Sequence, residues 1–215
     1  MPSIYDPIFL VPARTPFRWG TSPFLARGVL YSEELALAQK ALDGKATEFL
    51  RRTGDPALET FLSQKFSTLE WYDALPLVFF GVVTARARGL ALNQYIRDVA
   101  EAHAARALSG FSGIVLRLVS TEAVATWLPR ASAWYNNFGP AETKVVGERH
   151  VRGFRSGVPQ CMVQGWSVSA THFIETVLAH AGARGPRAHT LEVEPDGARE
   201  GHPVYRIAFD VTWSG

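Results

Sequence analysis

The stretch Ala141-Glu142-Thr143-Lys144-Val145-Val146-Gly147-Glu148-Arg149-His150-Val151-Arg152-Gly153-Phe154-Arg155 decides the fold class. Thr143, Val145 and, across Gly147, Val151 and Phe154 alternate with charged residues, which predicts two half-buried antiparallel strands turning near Gly147-Glu148. Downstream, Pro159 opens a helix over 160–181 that carries Met162, Val163, Trp166, Phe173, Ile174, Val177 and Leu178 and stops at Gly182. Arg187 to Glu194 and Val204 to Trp213 alternate again. Leu191 and Val193 form one inward face, and Tyr205, Ile207, Phe209, Val211 and Trp213 the other, with a loop over 195–201 between them. This half of the chain therefore reads as ββαββ.

Upstream of Pro140 the apolar spacing changes to the helical period. Ser32 followed by Glu33 and Glu34 predicts a helix start, with a side-chain acceptor and negative charge in the first turn, and Gly44 a stop. Asp55-Pro56 predicts a second start, followed by Leu58, Phe61, Leu62 and Phe66 on one face. Asp73 can cap a helix over 74–88 whose dense apolar residues mark it as the central, buried one. Ala91 to Leu108 places Leu92, Tyr95, Ile96, Val99, His103 and Leu108 on one stripe of a long amphipathic helix. The apolar run over 114–119 is ambiguous between helix and strand. Ser120 can cap 121–127, Pro129 opens a further short helix, and Asn136-Asn137-Phe138-Gly139-Pro140 ends it. A helical N-terminal half followed by a ββαββ antiparallel sheet is an α+β domain.

Composition is consistent with one folded domain. The 215 residues are 47% hydrophobic with a formal charge of +2, which excludes disorder and gives no basic block for nucleic acid. One cysteine cannot close an intramolecular disulfide. Residues 1–30 hold Tyr5, Phe9, Phe17, Trp19 and Phe24 among prolines and glycines, and read as an extended aromatic arm; residues 31–215 read as a single α+β domain. Pro7, Pro12 and Pro16 interrupt any leader-like segment, and the longest apolar run, Leu75 to Val83, is about half the ~20 residues needed to span a bilayer. A cytoplasmic protein with no membrane insertion is expected.

Three stretches carry a resemblance. Arg27-Gly28-Val29-Leu30-Tyr31-Ser32, Trp71-Tyr72-Asp73-Ala74-Leu75, and Leu128-Pro129-Arg130 with Trp134-Tyr135-Asn136-Asn137-Phe138-Gly139 are similar to an uncharacterised myxobacterial family of about this length. That family resembles in fold the 4-vinyl reductase and heme-nitric-oxide-binding domains. The resemblance implies a small apolar or tetrapyrrole ligand held between helices and sheet. Heme-nitric-oxide-binding proteins use a histidine on a long helix and a Tyr-x-Ser-x-Arg motif for the propionates. His103 lies on a long helix, but no Tyr-x-Ser-x-Arg occurs, so no cofactor is expected.

Other chemistry finds little support in the residues. His172 and His180 are eight apart without the spacing of a zinc pair. Cys161 near a helix start could have a lowered pKa, or could be a small buried hydrophobe. No phosphate-cradling glycine loop follows a strand, and Gly165-Trp166-Ser167-Val168-Ser169 lacks the second glycine of a nucleophile elbow. Glu192 and Glu194 read as solvent-facing charge, and Arg149, Arg152 and Arg155 as charges guarding an exposed edge.

The aromatic residues remain. Trp71, Tyr72, Phe79, Trp127, Trp134 and Tyr135 bracket the central helix and the junction with the sheet, either enclosing a flat apolar ligand or filling a core. Tyr95 and His103 would supply polar contacts to such a ligand. The expected function is a non-enzymatic module that binds a small apolar or aromatic molecule and signals to a protein partner. The rival is an interaction module that acts through self-association as a homodimer, with no ligand.

Overall fold

In the computed structural model the described residues are 17–46, 48, 55–109 and 119–214. Much of the proposed arm, through residue 16, and the ambiguous run over 114–118 lie outside them. A short strand β1 (Leu25–Arg27) leads into α1 (Gly28–Ala41), then α2 (Pro56–Leu62), β2 (Trp71–Asp73), α3 (Leu75–Ala87), α4 (Leu92–Leu108) and α5 (Thr121–Tyr135). The second half is β3 (Ala141–Gly147), β4 (His150–Pro159), a 3-10 turn over Gln160–Met162, α6 (Val163–His180), β5 (Arg184–Arg199) and β6 (His202–Ser214). The four long strands form one antiparallel sheet in the order β3-β4-β6-β5, and β1 pairs antiparallel with β2. The helical half followed by ββαββ is therefore the observed architecture.

Local chemistry explains several element boundaries. Asp55 accepts from the N–H groups of Ala57 and Leu58 while Pro56 occupies the first turn of α2. Ser120 accepts from Ala123 N–H and starts α5. Asp73 sits on β2 rather than at the cap position, yet its carboxylate accepts from Leu75 N–H at 2.9 Å. The same carboxylate accepts from Gly20 N–H at 2.9 Å and Ser22 N–H at 3.2 Å, so one buried acid ties the start of α3 to the incoming chain. Phe24 is fully buried in this region, with Phe17 and Trp19 packed against the same core.

Three boundaries differ from the sequence reading. Helix α1 begins four residues before Ser32, whose hydroxyl donates to Gly28 C=O within the helix instead of capping it. Glu33 and Glu34 are consequently mid-helix and buried, not exposed first-turn acids. Helix α5 is one helix rather than two. Strand β5 runs on to Arg199, and its register against β6 shifts between Thr190 and Glu192, leaving Leu191 as the extra residue, 44% exposed instead of inward.

Two apolar clusters result. One joins Phe24, Tyr31, Leu58, Leu75 and Phe80 to Val158 and Ile207. The other lies between sheet and helices, with Val151, Phe209, Val211 and Trp213 against Ile174 and Leu178 of α6 and Val124 and Leu128 of α5. Gly153 belongs to the inward face of β4, because a Cβ there would lie 2.6 Å from the Phe209 ring. Among the described residues no single helix is long and apolar enough to cross a membrane.

Candidate functional site

Helix α4 crosses α1 and brings two of its polar residues onto the two buried glutamates. Tyr95 donates its hydroxyl to Glu34 Oε1 at 3.2 Å. Gly81 of α3 makes room for that pair, since a Cβ at that position would stand 3.2 Å from Glu34 Oε1 and 3.4 Å from the Tyr95 ring. Burial pushes the Glu34 carboxyl up to about 8, with only the Tyr95 hydroxyl favouring its charged form. Glu34 is therefore largely protonated at neutral pH.

Two turns further along α4, His103 Nε2 lies 3.2 Å from Glu33 Oε2, and Arg106 Nη1 lies 3.4 Å from Glu33 Oε1. Burial raises the Glu33 carboxyl, and Arg106 pulls it back. Burial also pulls His103 down to about 4, with the Arg106 charge acting in the same direction. The imidazole is therefore neutral at physiological pH, and its contact with Glu33 is not an ion pair. Nε2 is buried and has no aligned hydrogen-bond partner. Tyr135, at the end of α5, has its hydroxyl pKa raised by burial and then by the charge on Glu33. Glu33, His103 and Arg106 thus form one semi-enclosed polar cluster contributed by two helices.

The aromatic residues separate into groups. Trp71 and Trp134 are 37% and 47% exposed, and the Arg27 guanidinium carbon lies 3.9 Å and 5.6 Å from their ring centres. Tyr135 meets Trp134 edge-on at 4.9 Å. Tyr72 packs edge-on against Phe66 at 4.8 Å and accepts from Ser67 N–H, and buried Phe79 lies 5.7 Å from Trp19. Trp127 is 58% exposed. Tyr135 thus belongs with Trp134 beside the Arg27–Trp71 contact, while Tyr72 and Phe79 belong to the apolar interior. A surface cavity of about 430 Å³ opens elsewhere, lined by Glu101, Ala105, Leu108, Ser109, Thr176 and His180.

Two expectations about charge change. Cys161 is buried, and burial drives its thiol pKa upward rather than downward, so the helix-start argument fails for lack of solvent. Arg155 does not guard an exposed edge. β4 lies between β3 and β6, and Arg155 shares the inward parity of Val151 and Gly153, which leaves it 1% exposed. Phe154 faces the other way, beneath Arg206, whose guanidinium carbon is 4.0 Å from its ring centre.

No family model matches the chain, and no curated protein matches it by sequence. Solved structures do. The chain is similar to an oxygen-binding H-NOX domain related to soluble guanylate cyclases, with 12% identity over 88% of this chain and 95% of that one and a TM-score of 0.59. A phenylalanine variant of T. Tengcongensis H-NOX gives 12% identity, 88% and 98% coverage and a TM-score of 0.61. A Cs H-NOX variant carrying 4-cyano-L-phenylalanine gives 12% identity, 88% and 97% coverage and a TM-score of 0.62.

The chain has an H-NOX-like fold.

Other structures of this fold concern heme redox potential set by porphyrin distortion, and the function of heme distortion in the H-NOX family. These neighbours overturn the expectation that no cofactor is involved: Tyr-x-Ser-x-Arg is missing here, yet the solved structures that share this fold concern heme. His103 is buried on the long helix with a neutral ring, and its Nε2 has no aligned hydrogen-bond partner among the described residues, with Glu33 Oε2 3.2 Å away.

Proposed function

We propose that the chain is a non-enzymatic, ligand-binding sensor module that takes heme on His103. The observation that carries this reading is the buried, neutral imidazole of His103 on the long helix of an H-NOX-like fold, whose Nε2 makes no aligned hydrogen bond among the described residues. Heme held there would supply an iron with a coordination position for a diatomic gas. The chain's own residues set the terms of entry. Glu33 Oε2 stands 3.2 Å from Nε2 and competes for the imidazole, while Arg106 restrains the same carboxylate. Tyr135 of α5, whose hydroxyl pKa is raised by burial and by the Glu33 charge, packs edge-on against the exposed Trp134. A protein partner would read occupancy from the exposed tryptophans.

The test is reconstitution of the purified protein with hemin, followed by absorbance spectroscopy and light scattering. A Soret band is expected in the wild type, lost in His103→Gly and regained when imidazole is added to that variant. A band that survives in His103→Gly would overturn the assignment. A protein that takes no hemin and runs at the mass of a dimer would favour the second reading, self-association through the exposed Trp71, Trp127 and Trp134.

A further inference from the structure

The sheet has one face packed on helices α5 and α6 and one face turned away from them. Strand register sets the outward side chains in rows, because alternate residues of each strand share a face. One row is Lys144, Arg152, Asp210 and His189, and the next outward row is Glu142, Phe154, Ala208 and Glu192. Beyond the first lie His150, Thr212 and Arg187, and beyond the second Arg206 and Glu194. The outward charged residues of β3 and β5, with Arg152 of β4, are exposed. The two ends of this face therefore carry opposite charge. At one end Lys144, Arg152 and Arg187 stand against the single acid Asp210, and at the other Glu142, Glu192 and Glu194 stand against the single cation Arg206. Asp210 is taken up by His150 and Arg152, and Arg206 lies 3.4 Å from Glu194 and over the Phe154 ring. Lys144 and Arg187 at one end, and Glu142 and Glu192 at the other, are in no ion pair among the described residues.

A face of one sign would fit a partner of the opposite sign. A face whose two ends carry equal and opposite charge fits its own copy turned end for end, since one symmetric contact then satisfies both ends. We propose that the outward face of this sheet docks a second copy of the chain about a twofold axis that crosses the strands between the Lys144 row and the Glu142 row. Each strand then lies over the same strand of the second copy. Lys144 faces Glu142 of the second copy, His189 faces Glu192 and Arg187 faces Glu194, and each contact occurs twice. The Phe154 ring and Ala208 lie beside the axis, with Arg152 brought over the second copy's Phe154. Four strands and these rows give a face of roughly 20 Å by 25 Å, on the order of 500 Å² a side. That is at the small end for a specific interface, so the dimer is weak and its charges, which stay near water, make it salt-sensitive. The contact depends neither on heme at His103 nor on the exposed tryptophans of β2 and α5, which belong to other surfaces.

Sedimentation velocity without added heme tests this. The wild type would be compared with Lys144→Glu/Arg187→Glu, whose face is acidic at both ends, with Glu142→Lys/Glu192→Lys, basic at both ends, and with an equimolar mixture of the two. The wild type is expected to show a monomer–dimer equilibrium. Each double variant alone should raise the dimer dissociation constant about 100-fold, because like charges now meet at both ends. The mixture should restore dimers, because an acidic face then meets a basic one, and that recovery also shows that both variants are folded. Trp127→Glu should leave the wild-type dimer unchanged. A wild type that stays monomeric at the highest attainable concentration overturns the proposal, and so does a mixture that fails to recover dimers. A dimer that survives both charge reversals but is lost in Trp127→Glu overturns it in favour of the tryptophan surface. Should a double variant not fold, the salt response of the wild type decides. A shift toward monomer between ~50 mM and ~500 mM sodium chloride, absent in Lys144→Gln, supports the contact, and a dimer indifferent to salt overturns it.

Discussion

Glu34 and Asp210 are both buried carboxylates, one in the helical half and one in the sheet, and their surroundings drive them in opposite directions. Asp210 loses solvation on burial, but His150 Nε2 at 2.7 Å and Arg152 Nε at 3.1 Å outweigh that loss and hold it below the usual aspartate range. Among the described residues Glu34 has one neutral hydroxyl and no cation, and is pushed up to about 8. Burial alone therefore does not say whether an acid is charged. The partners decide, and a strand pair delivers them by register: His150 and Arg152 reach Asp210 because Arg152 lies opposite it and His150 two residues along. Helix crossings deliver whatever the packing brings. Here α4 gave Glu34 only Tyr95.

The largest expected effect that sharpens this contrast is the pH dependence carried by Glu34. Its folded-state pKa is raised, so the unfolded chain gives up its proton first as pH rises from about 4.5, and stability falls until the folded protein also ionises near 8. Urea unfolding should show the wild type about 3 kcal/mol less stable at pH 8 than at pH 5 from this group. Glu34→Gln should flatten that difference, and a variant as pH-sensitive as the wild type would break the comparison. Asp210→Ala is expected to cost about 2 kcal/mol at pH 7, because it strands His150 and Arg152, both partly open to water. The sign is opposite for this acid. Asp210 contributes above the unfolded aspartate pKa, and its contribution is lost as pH falls through the lower folded value, so the penalty of Asp210→Ala should shrink in acid. Smallest of the three is Tyr95→Phe, expected to cost about 1 kcal/mol and to move the Glu34 titration further upward, measurable by carboxyl carbon NMR.

The sheet half was readable because strand parity is a strict period of two. Val151, Ile207, Phe209, Val211 and Trp213 face inward as their alternation requires. The same parity would have exposed Arg155: it stands four residues after Val151, on the same face, and grouping Phe154 with Val151 obscured it. Glu33 and Glu34 were less accessible. Two adjacent acids after a serine are a sound helix-start signal, and only the pairing of β1 with β2, which carries the chain straight into α1 at Gly28, places them mid-helix and inside. Gly81 within an otherwise apolar helix was the available clue that something bulky approaches.

The amino-acid sequence by itself determined the α+β class, the order of helices before ββαββ, the caps at Asp55 and Ser120, and the placement of His103 on a long helix. Those are consequences of side-chain period and local hydrogen bonding, which act over a few residues. The charge states of His103, Glu33, Glu34 and Cys161, the burial of the Arg155 guanidinium, and the division of the aromatic residues between surface and interior were decided only by the tertiary structure. Each depends on how much water is excluded and which charges arrive from elements far apart in the chain, and neither quantity is written in any single stretch of it.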